Sequence, residues 1–545
     1  MKNLSQAGYN PATGVFNDSL RGNYLWTNSN LGEAFPDVMS PLTWSLIQIY
    51  GEEVNPLTLP GNHPMFGNIG GRLYMNMSLF NSMVRTLGFS QARVNKESEE
   101  FFGHLPHDVD IPIVPFSRWQ LIRTVVPSLP NIMRQRRKTL AKLPTFTAQS
   151  PVKLDQFKQQ ISATTSSLEL ASLWRETLEP YFREACRMLK DGTTRYENAY
   201  RPLRRKLQEQ IGEADSITLL SGVSNDNQQL SSLQPVVGLW KVANGKLSRE
   251  EYIRQFGHRG PHEMELLIPR PAEDPTWLDE QLANLENTDV PALLAAQETK
   301  KDITFNDYTQ RFPKDAAKLQ EKLTETAVYA RGRESIRSEF TRIMYLMRQF
   351  ALRAGKLSGL DNDVFFLSIE ELTNLLVEKT IPTISEIPAR REAYETLSGL
   401  PPYPAIINGR FDPIAWAEDP NHRSDIFEAH PKPASQPITD KNVSGFPGSS
   451  GVVEGVVRVL HSLEESAQLQ PGEILVTVTT NIGWTPVFPR VSAVVTDVGA
   501  PLSHAAIVAR ELGIPAVVGC GDATMRLKTG TRVRVDGGQG IITLL

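Results

Sequence analysis

Two kinds of apolar spacing divide the chain. From about Asn131, LDQFKQQISATTSSLELASLWRETLEPYFREACRMLKD repeats apolar residues at helical intervals with charge on the other face. RPLRRKLQEQI and PALLAAQETKK continue the pattern. AAKLQEKLTETAVYARGRESIRSEFTRIMYLMRQFALRAGK sustains it with almost no breaker, which predicts one long helix or two in tandem. DVFFLSIEELTNLL predicts a short strand and then a helix. Near residue 446 the period changes. GVVEGVVRVL, EILVTVTT, SAVVTDVG, PAVVG, TRVRVDGG and GIITLL are short β-branched runs bounded by turn residues, with a single helical stretch, HAAIVARELG, among them. The first 130 residues are punctuated by Gly, Pro, Asn and aromatics, as in LPGNHPMFGNIGGRLYMNMS, and predict short elements and loops. HPKPASQPITDKNVSGFPGSSG, dense in Pro, Ser and Gly, reads as a linker.

These shifts predict a multidomain chain. Residues 1–430 form a large, mainly α-helical (α+β) domain, 431–445 a linker, and 446–545 a compact α/β domain. A length of 545 residues fits two to four domains. The formal charge of −4 argues against nucleic acid or a membrane surface as partner, because a polyanion would gain no net attraction. No apolar run is long enough to span a bilayer, and MKNLSQAGYNPATG lacks the apolar centre of a signal peptide. Cys186 and Cys520 are the only cysteines, too few for a disulfide framework or a Cys-based metal site, so a reducing, cytoplasmic setting is expected. No metal-ligand cluster is visible.

The chemistry gathers in TDVGAPLSHAAIVARELGIPAVVG. Ser503 is a suitable N-cap and Gly513 a natural C′ glycine, which makes His504 the first helical residue. The positive end of the helix dipole disfavours imidazolium and keeps a nucleophilic nitrogen. An anion on that nitrogen would meet unpaired backbone N–H groups. Gly499, Ala500, Ala505 and Ala506 leave room for a bulky donor. This suits a histidine that accepts and returns a phosphoryl group. Position alone favours a histidine that only packs or hydrogen-bonds at a strand–helix turn.

The complete string resembles the phosphohistidine motif of the phosphoenolpyruvate-utilising enzymes, and NIGWTPVFPRVSAVVTD and LKTGTRVRVDGGQGIITLL extend the likeness over the C-terminal unit. The resemblance implies a swivelling domain that carries phosphate on His504 between distant sites, with Ser503, Thr485, Gly499 and Arg510 supporting the phosphohistidine. That family places its phosphoenolpyruvate or pyruvate site in a C-terminal barrel. Only about forty residues follow His504, so neither substrate is expected. WTNSNLGEAFPDVMSPLTWS, GGRLYMNMS, QFGHRGPHEMELLIPRPAEDP, ARGRESIRSEF and DVFFLSIEELTNLL, in that order, resemble the acceptor-binding domain of the rifampin phosphotransferase family. In that family an ATP-binding domain phosphorylates the histidine with the β-phosphate of ATP, and the histidine then phosphorylates an acceptor hydroxyl. Here Met1 stands only some 25 residues before WTNSN, and no glycine-rich phosphate loop precedes it. ATP and Mg2+ are therefore expected on a separate ATP-binding partner subunit, with a small-molecule acceptor on this chain.

Candidate acceptor-site residues follow from the same segments. In FGHRGPHEMEL, His258 is a candidate base, Arg259 a phosphate contact and Glu263 a substrate contact; a structural turn with Arg259 paired to a local Glu is the alternative. His262 and Pro271 depart from the family's usual small residue and Trp. Arg333 and Arg337 lie four apart on one helix face and could clamp a phosphoryl group, or pair with Glu334 or another neighbour. Asn28, Asn30 and Glu33 are polar groups amid Trp26, Phe35 and Trp44, suited to a substrate pocket or to loop capping. Trp26, Trp44, Met75 and Met77 suit a sizeable apolar acceptor and ordinary core packing equally. Two other functions fit the pattern: a ligand-binding or regulatory relative without turnover, and an enzyme in which phosphate activates a group for condensation.

Overall fold

Three long helices carry the larger unit: Arg118–Ala163, Glu179–Ile211 and Ala316–Ser358. In this computed structural model the described residues are 8–10, 13–29, 31–54, 63–88, 109, 111–115, 117–221, 233–285, 288–420, 422–423, 425–430 and 442–545. The first helix begins at Arg118, thirteen residues ahead of the Asn131 expected, and runs through Pro127 and Pro130. Each proline removes one backbone donor, but the rest of the ladder continues past it. Ala316–Ser358 is one helix of 43 residues, closed by Gly359 at φ 76°, a left-handed position that glycine adopts without strain. Its apolar face meets the other two helices, with Phe182 of Glu179–Ile211 against Phe340 at a ring separation of 5.7 Å; Trp174, in the segment just before that helix, lies against Phe350 at 5.3 Å.

Asp361–Phe366 is a 3₁₀ helix rather than the strand expected. Gly355 explains the difference. A Cβ there would lie 2.1 Å from the Asp361 carbonyl oxygen, so its absence lets the chain fold back against the helix it has just left. Val364, Phe365 and Phe366 then enter the helical core instead of a sheet. The helix after it, Ile369–Glu378, is opened by a reciprocal cap between Ser368 and Glu371. The punctuated N-terminal region supplies three strands of a five-stranded sheet, ordered Phe66–Ile69, Arg72–Asn76, Leu25–Thr27, Ile406–Asn408 and Ile426–Glu428. Leu25 pairs with Asn408, so the unit closes on itself.

The C-terminal unit is α/β, with eight strands in one sheet, and all six expected strand segments are present. Val452–Val459 joins its two halves. Its first part pairs antiparallel with Arg532–Asp536 and its last part parallel with Ile474–Thr477. Ala493–Thr496 and Ala516–Val518 continue the parallel half. Of the stretch expected as linker, residues 431–441 lie outside the described residues, and Asn442–Ser444 already pairs with Ile541–Leu544 as a sheet strand. The two units meet over an apolar seam in which Val236, Leu239 and Tyr252 share a cluster with Trp484, Phe488 and Ala505. Thr218 Oγ1 lies 2.9 Å from Ser450 Oγ at its edge, and Asn481 donates to the Pro261 carbonyl at 3.0 Å. Among the described residues no helix is long and apolar enough to cross a membrane.

Candidate functional site

The carboxyl ends of the parallel strands carry the loops that surround His504. After Ala493–Thr496 the chain turns at Gly499, whose φ of 145° suits glycine and whose missing Cβ would press on Ser503 Oγ and Val518. The helix His504–Leu512 follows, with Ser503 as N-cap accepting the Ala506 N–H and Gly513 as left-handed C′ residue. His504 thus stands at the positive end of the helix, as expected. The loop after Ile474–Thr477 brings two hydroxyls to the ring. Thr480 Oγ1 is 3.2 Å from Nδ1 and Thr485 Oγ1 is 3.2 Å from Nε2. One hydroxyl accepts the ring N–H and the other donates to the bare nitrogen, so the imidazole is fixed in orientation with one lone pair defined. The edge of Phe488 closes one side, with ring centroids 6.0 Å apart.

The larger unit closes the rest. His504 is only 5% exposed. Burial, then the positive charges of Arg337, Arg259 and Arg333, hold its proton affinity well below the ordinary imidazole range. The ring is therefore neutral and nucleophilic at physiological pH, and the same arginines supply positive charge for an anion upon it. Arg259 is paired with Glu263 at 2.7 Å, both nearly sealed from solvent, and Arg333 with Glu334 at 2.6 Å. Arg337 forms no hydrogen bond or close ion pair among the described residues, and burial lowers its proton affinity. It is the arginine most available to a phosphoryl group.

Glu33 reaches the helix mouth from the opposite unit. Asn28, just past the strand Leu25–Thr27, starts a tight turn in which its carbonyl accepts the N–H groups of Leu31 and Gly32. That turn presents Glu33, whose Oε2 accepts the backbone N–H of His504 at 2.7 Å. Burial raises the Glu33 carboxyl to about 7, against the opposing pull of this N–H, Arg337, Ser503 and Arg333. Asn28 contributes by shaping the turn, while Asn30 lies outside the described residues.

Other expected site residues lie elsewhere. His258 is next to Arg259 in sequence but points to another side. Its Nε2 is 3.3 Å from Ser338 Oγ, and it lines a cavity of about 850 Å³ with Asp155, Arg342 and Tyr345. Burial and the charges of Arg342, Arg259 and Arg270 keep it from protonating. Arg510 donates to the carbonyls of Gly448 and Pro501, bracing the loop that leads into the helix. His262 lies at the seam. Burial lowers its proton affinity, but the Asp37 carboxylate 2.7 Å away, with Glu464 of the opposite unit, outweighs that and raises it. The sequence does not mark out Thr480 or Phe488; its one signal is a threonine run ending a strand in the parallel half, where ligands of such sheets gather. Among the described residues no three of His, Cys, Asp or Glu converge as metal ligands.

Known proteins resemble this chain in sequence. Residues 469–540 match the family described as PEP-utilising enzyme, mobile domain. A rifampicin phosphotransferase of Streptomyces sviceus is 29% identical over 327 residues, covering 56% of this chain and 36% of that protein. The rifampicin phosphotransferase of Bacillus cereus is 37% identical over 188 residues, 34% of this chain and 19% of the relative. A phosphoenolpyruvate synthase of Aeropyrum pernix is 49% identical over 119 residues, 21% of this chain and 14% of its own. The chain thus spans little more than a third of the length of the first of these relatives and less of the others. Its C-terminal unit matches the mobile domain of the PEP-utilising enzymes, and over about half its length the chain is similar to the rifampicin phosphotransferases.

Proposed function

We propose that this chain is the acceptor-binding part of a histidine phosphotransferase. His504 receives a phosphoryl group and passes it to a hydroxyl of a small organic acceptor held by the helical unit. The observation that carries this reading is the convergence of Arg337, Arg259 and Arg333 from one unit, and Thr480 and Thr485 from the other, on one neutral imidazole. ATP and magnesium, held by a nucleotide-binding domain or subunit outside the residues described, would supply the phosphoryl group. Within this chain the Thr480 and Thr485 hydroxyls aim the ring, Arg337 stands ready for the phosphoryl oxygens, and the Phe488 edge and the apolar seam exclude water. His504 is sealed in the docked arrangement, so it is charged with the C-terminal unit turned away and discharged with it docked. Incubation with ATP labelled at the β-phosphate and a candidate nucleotide-binding chain tests this. Label is expected on His504 as an acid-labile, alkali-stable adduct, and label that never leaves the nucleotide sinks the reading.

Docking of the unphosphorylated chain should then depend on pH from both sides. Glu33 binds its proton more tightly when docked, with a value near 7 against an ordinary 4.5, so docking weakens as pH rises through about 7. Taken alone, this loss accrues between about pH 4.5 and 7 and amounts to about 3 kcal/mol at most if the undocked carboxyl is fully solvated. His504 works the other way. It is held neutral when docked, so docking weakens as pH falls below the ordinary value of 6.5. From about 4.5 to 6.5 the proton that His504 sheds is matched by the one Glu33 gains. His262 keeps its Asp37 partner in either state and adds little. Small-angle scattering should show compactness level between about pH 5 and 6.5, only slightly less above 7 and falling clearly below 4.5, and a radius of gyration independent of pH across the acid range would contradict this.

A further inference from the structure

Glu33 holds the histidine helix with one carboxylate oxygen and leaves the other bare. Oε2 is committed to the His504 backbone N–H at 2.7 Å. Oε1 is sealed from solvent and has no hydrogen-bond partner among the described residues. Arg337 acts on the carboxyl through space, the Ser503 hydroxyl lies within reach of a loose hydrogen bond to it without meeting that geometry at Oε1, and Arg333 adds its charge; each draws its proton affinity down. A buried acceptor without a donor is costly, and such a group in a closed polar site points to a donor brought by a ligand. The same arginines act on His504, so the bare oxygen and the imidazole share one cationic enclosure.

Building on the phosphohistidine reading above, we propose that Glu33 Oε1 receives the hydroxyl of the acceptor, aims its oxygen at the phosphorus carried by His504, and takes its proton during transfer. In this step the acceptor oxygen forms an O–P bond and the N–P bond to His504 breaks, its electron pair returning to the ring nitrogen. The hydroxyl proton moves to Glu33. The products are a phosphate monoester, a neutral imidazole and a protonated Glu33, which loses its proton to water when the units separate. Arg337 faces the transferred group from the helix Ala316–Ser358 and offsets its charge. His258, the other candidate base, is less suited: its ring meets Ser338, and burial with three arginines opposes protonation. The Glu33 carboxyl, near 7, is matched to accepting a proton at physiological pH.

The test needs neither the natural donor nor the natural acceptor. The chain is charged with phosphoramidate, and phosphohistidine is followed by phosphorus NMR with water and glycerol as surrogate hydroxyls. Discharge is expected to quicken as pH rises through about 7, whereas free phosphohistidine is most labile in acid. Glu33→Gln should charge to the same extent, discharge on the order of a hundredfold more slowly, and lose the rise with pH. Glu33→Asp should keep the rise at a reduced rate, which separates proton transfer from simple loss of fold. Discharge of Glu33→Gln at the wild-type rate and with the wild-type profile overturns the proposal while leaving the phosphohistidine reading in place. Failure of the wild-type chain to form phosphohistidine at all removes that reading, and this proposal with it.

Discussion

Replacing His504 by glutamine is expected to abolish both the phosphorylated protein and every transfer product. The loss should be on the order of 10⁴-fold or more, because a nucleophile that carries the group covalently has no substitute. Glutamine approximates the shape of the ring and can still bond Thr480 and Thr485, which lie 3.2 Å from its two nitrogens. The backbone N–H that meets Glu33 is unaffected. The fold and the docked arrangement should therefore persist, with a thermal midpoint close to that of the parent chain. Intact-mass measurement after charging, with the alkali-stable adduct as readout, checks the outcome. Phosphate found on the glutamine variant would place the carrier elsewhere in the chain.

The second large effect is expected at Arg337. Arg337→Met should leave charging of His504 intact and slow its discharge by roughly 10²–10³-fold, the range seen when one preorganised charge partner of a transition state is removed. Methionine keeps the length of the side chain and deletes only the charge. Arg337 has no close ion-pair partner among the described residues, so its removal breaks no salt bridge, although Glu33, Glu334 and Glu263 lose a cation that acts on them through space. Arg259 is a less discriminating position, because its loss would leave Glu263 buried and unpaired. Single-turnover discharge of the pre-charged protein separates the two steps, and an equal loss of charging and discharge would show Arg337 to be structural. Arg337→Lys should recover part of the rate, since a point charge lacks the planar fork.

What the sequence revealed followed the range of the interactions. The histidine helix was legible because its determinants are adjacent: Ser503, His504, Gly513 and the strands on either side. Arg333 and Arg337 were legible because one helical turn relates them. Interactions that depend on distant pairing were not. The five-stranded sheet is built from strands of three to five residues, too short to show a period, and joins Leu25 to Asn408. Asp361–Phe366 has an apolar run that fits a strand, but the close approach allowed by Gly355 decides otherwise. Glu33 was recognisable as a polar group among aromatics, yet nothing in the spacing tells that it meets a backbone amide 471 positions away. Consecutive residues can also part company. His258 and Arg259 sit in one turn after the helix Arg249–Phe256, and only Arg259 acts on His504. Arg510, expected beside the phosphohistidine, is spent on two carbonyls, because a buried guanidinium takes the acceptors in reach.

His504 owes its seclusion to the opposite unit, since Glu33 and the three arginines belong to turns and a helix of the larger one. On the proposed reading such an arrangement would work as a turnstile: donor and acceptor would face the ring in turn, and a group carried on it would reach a dry berth before it meets its destination.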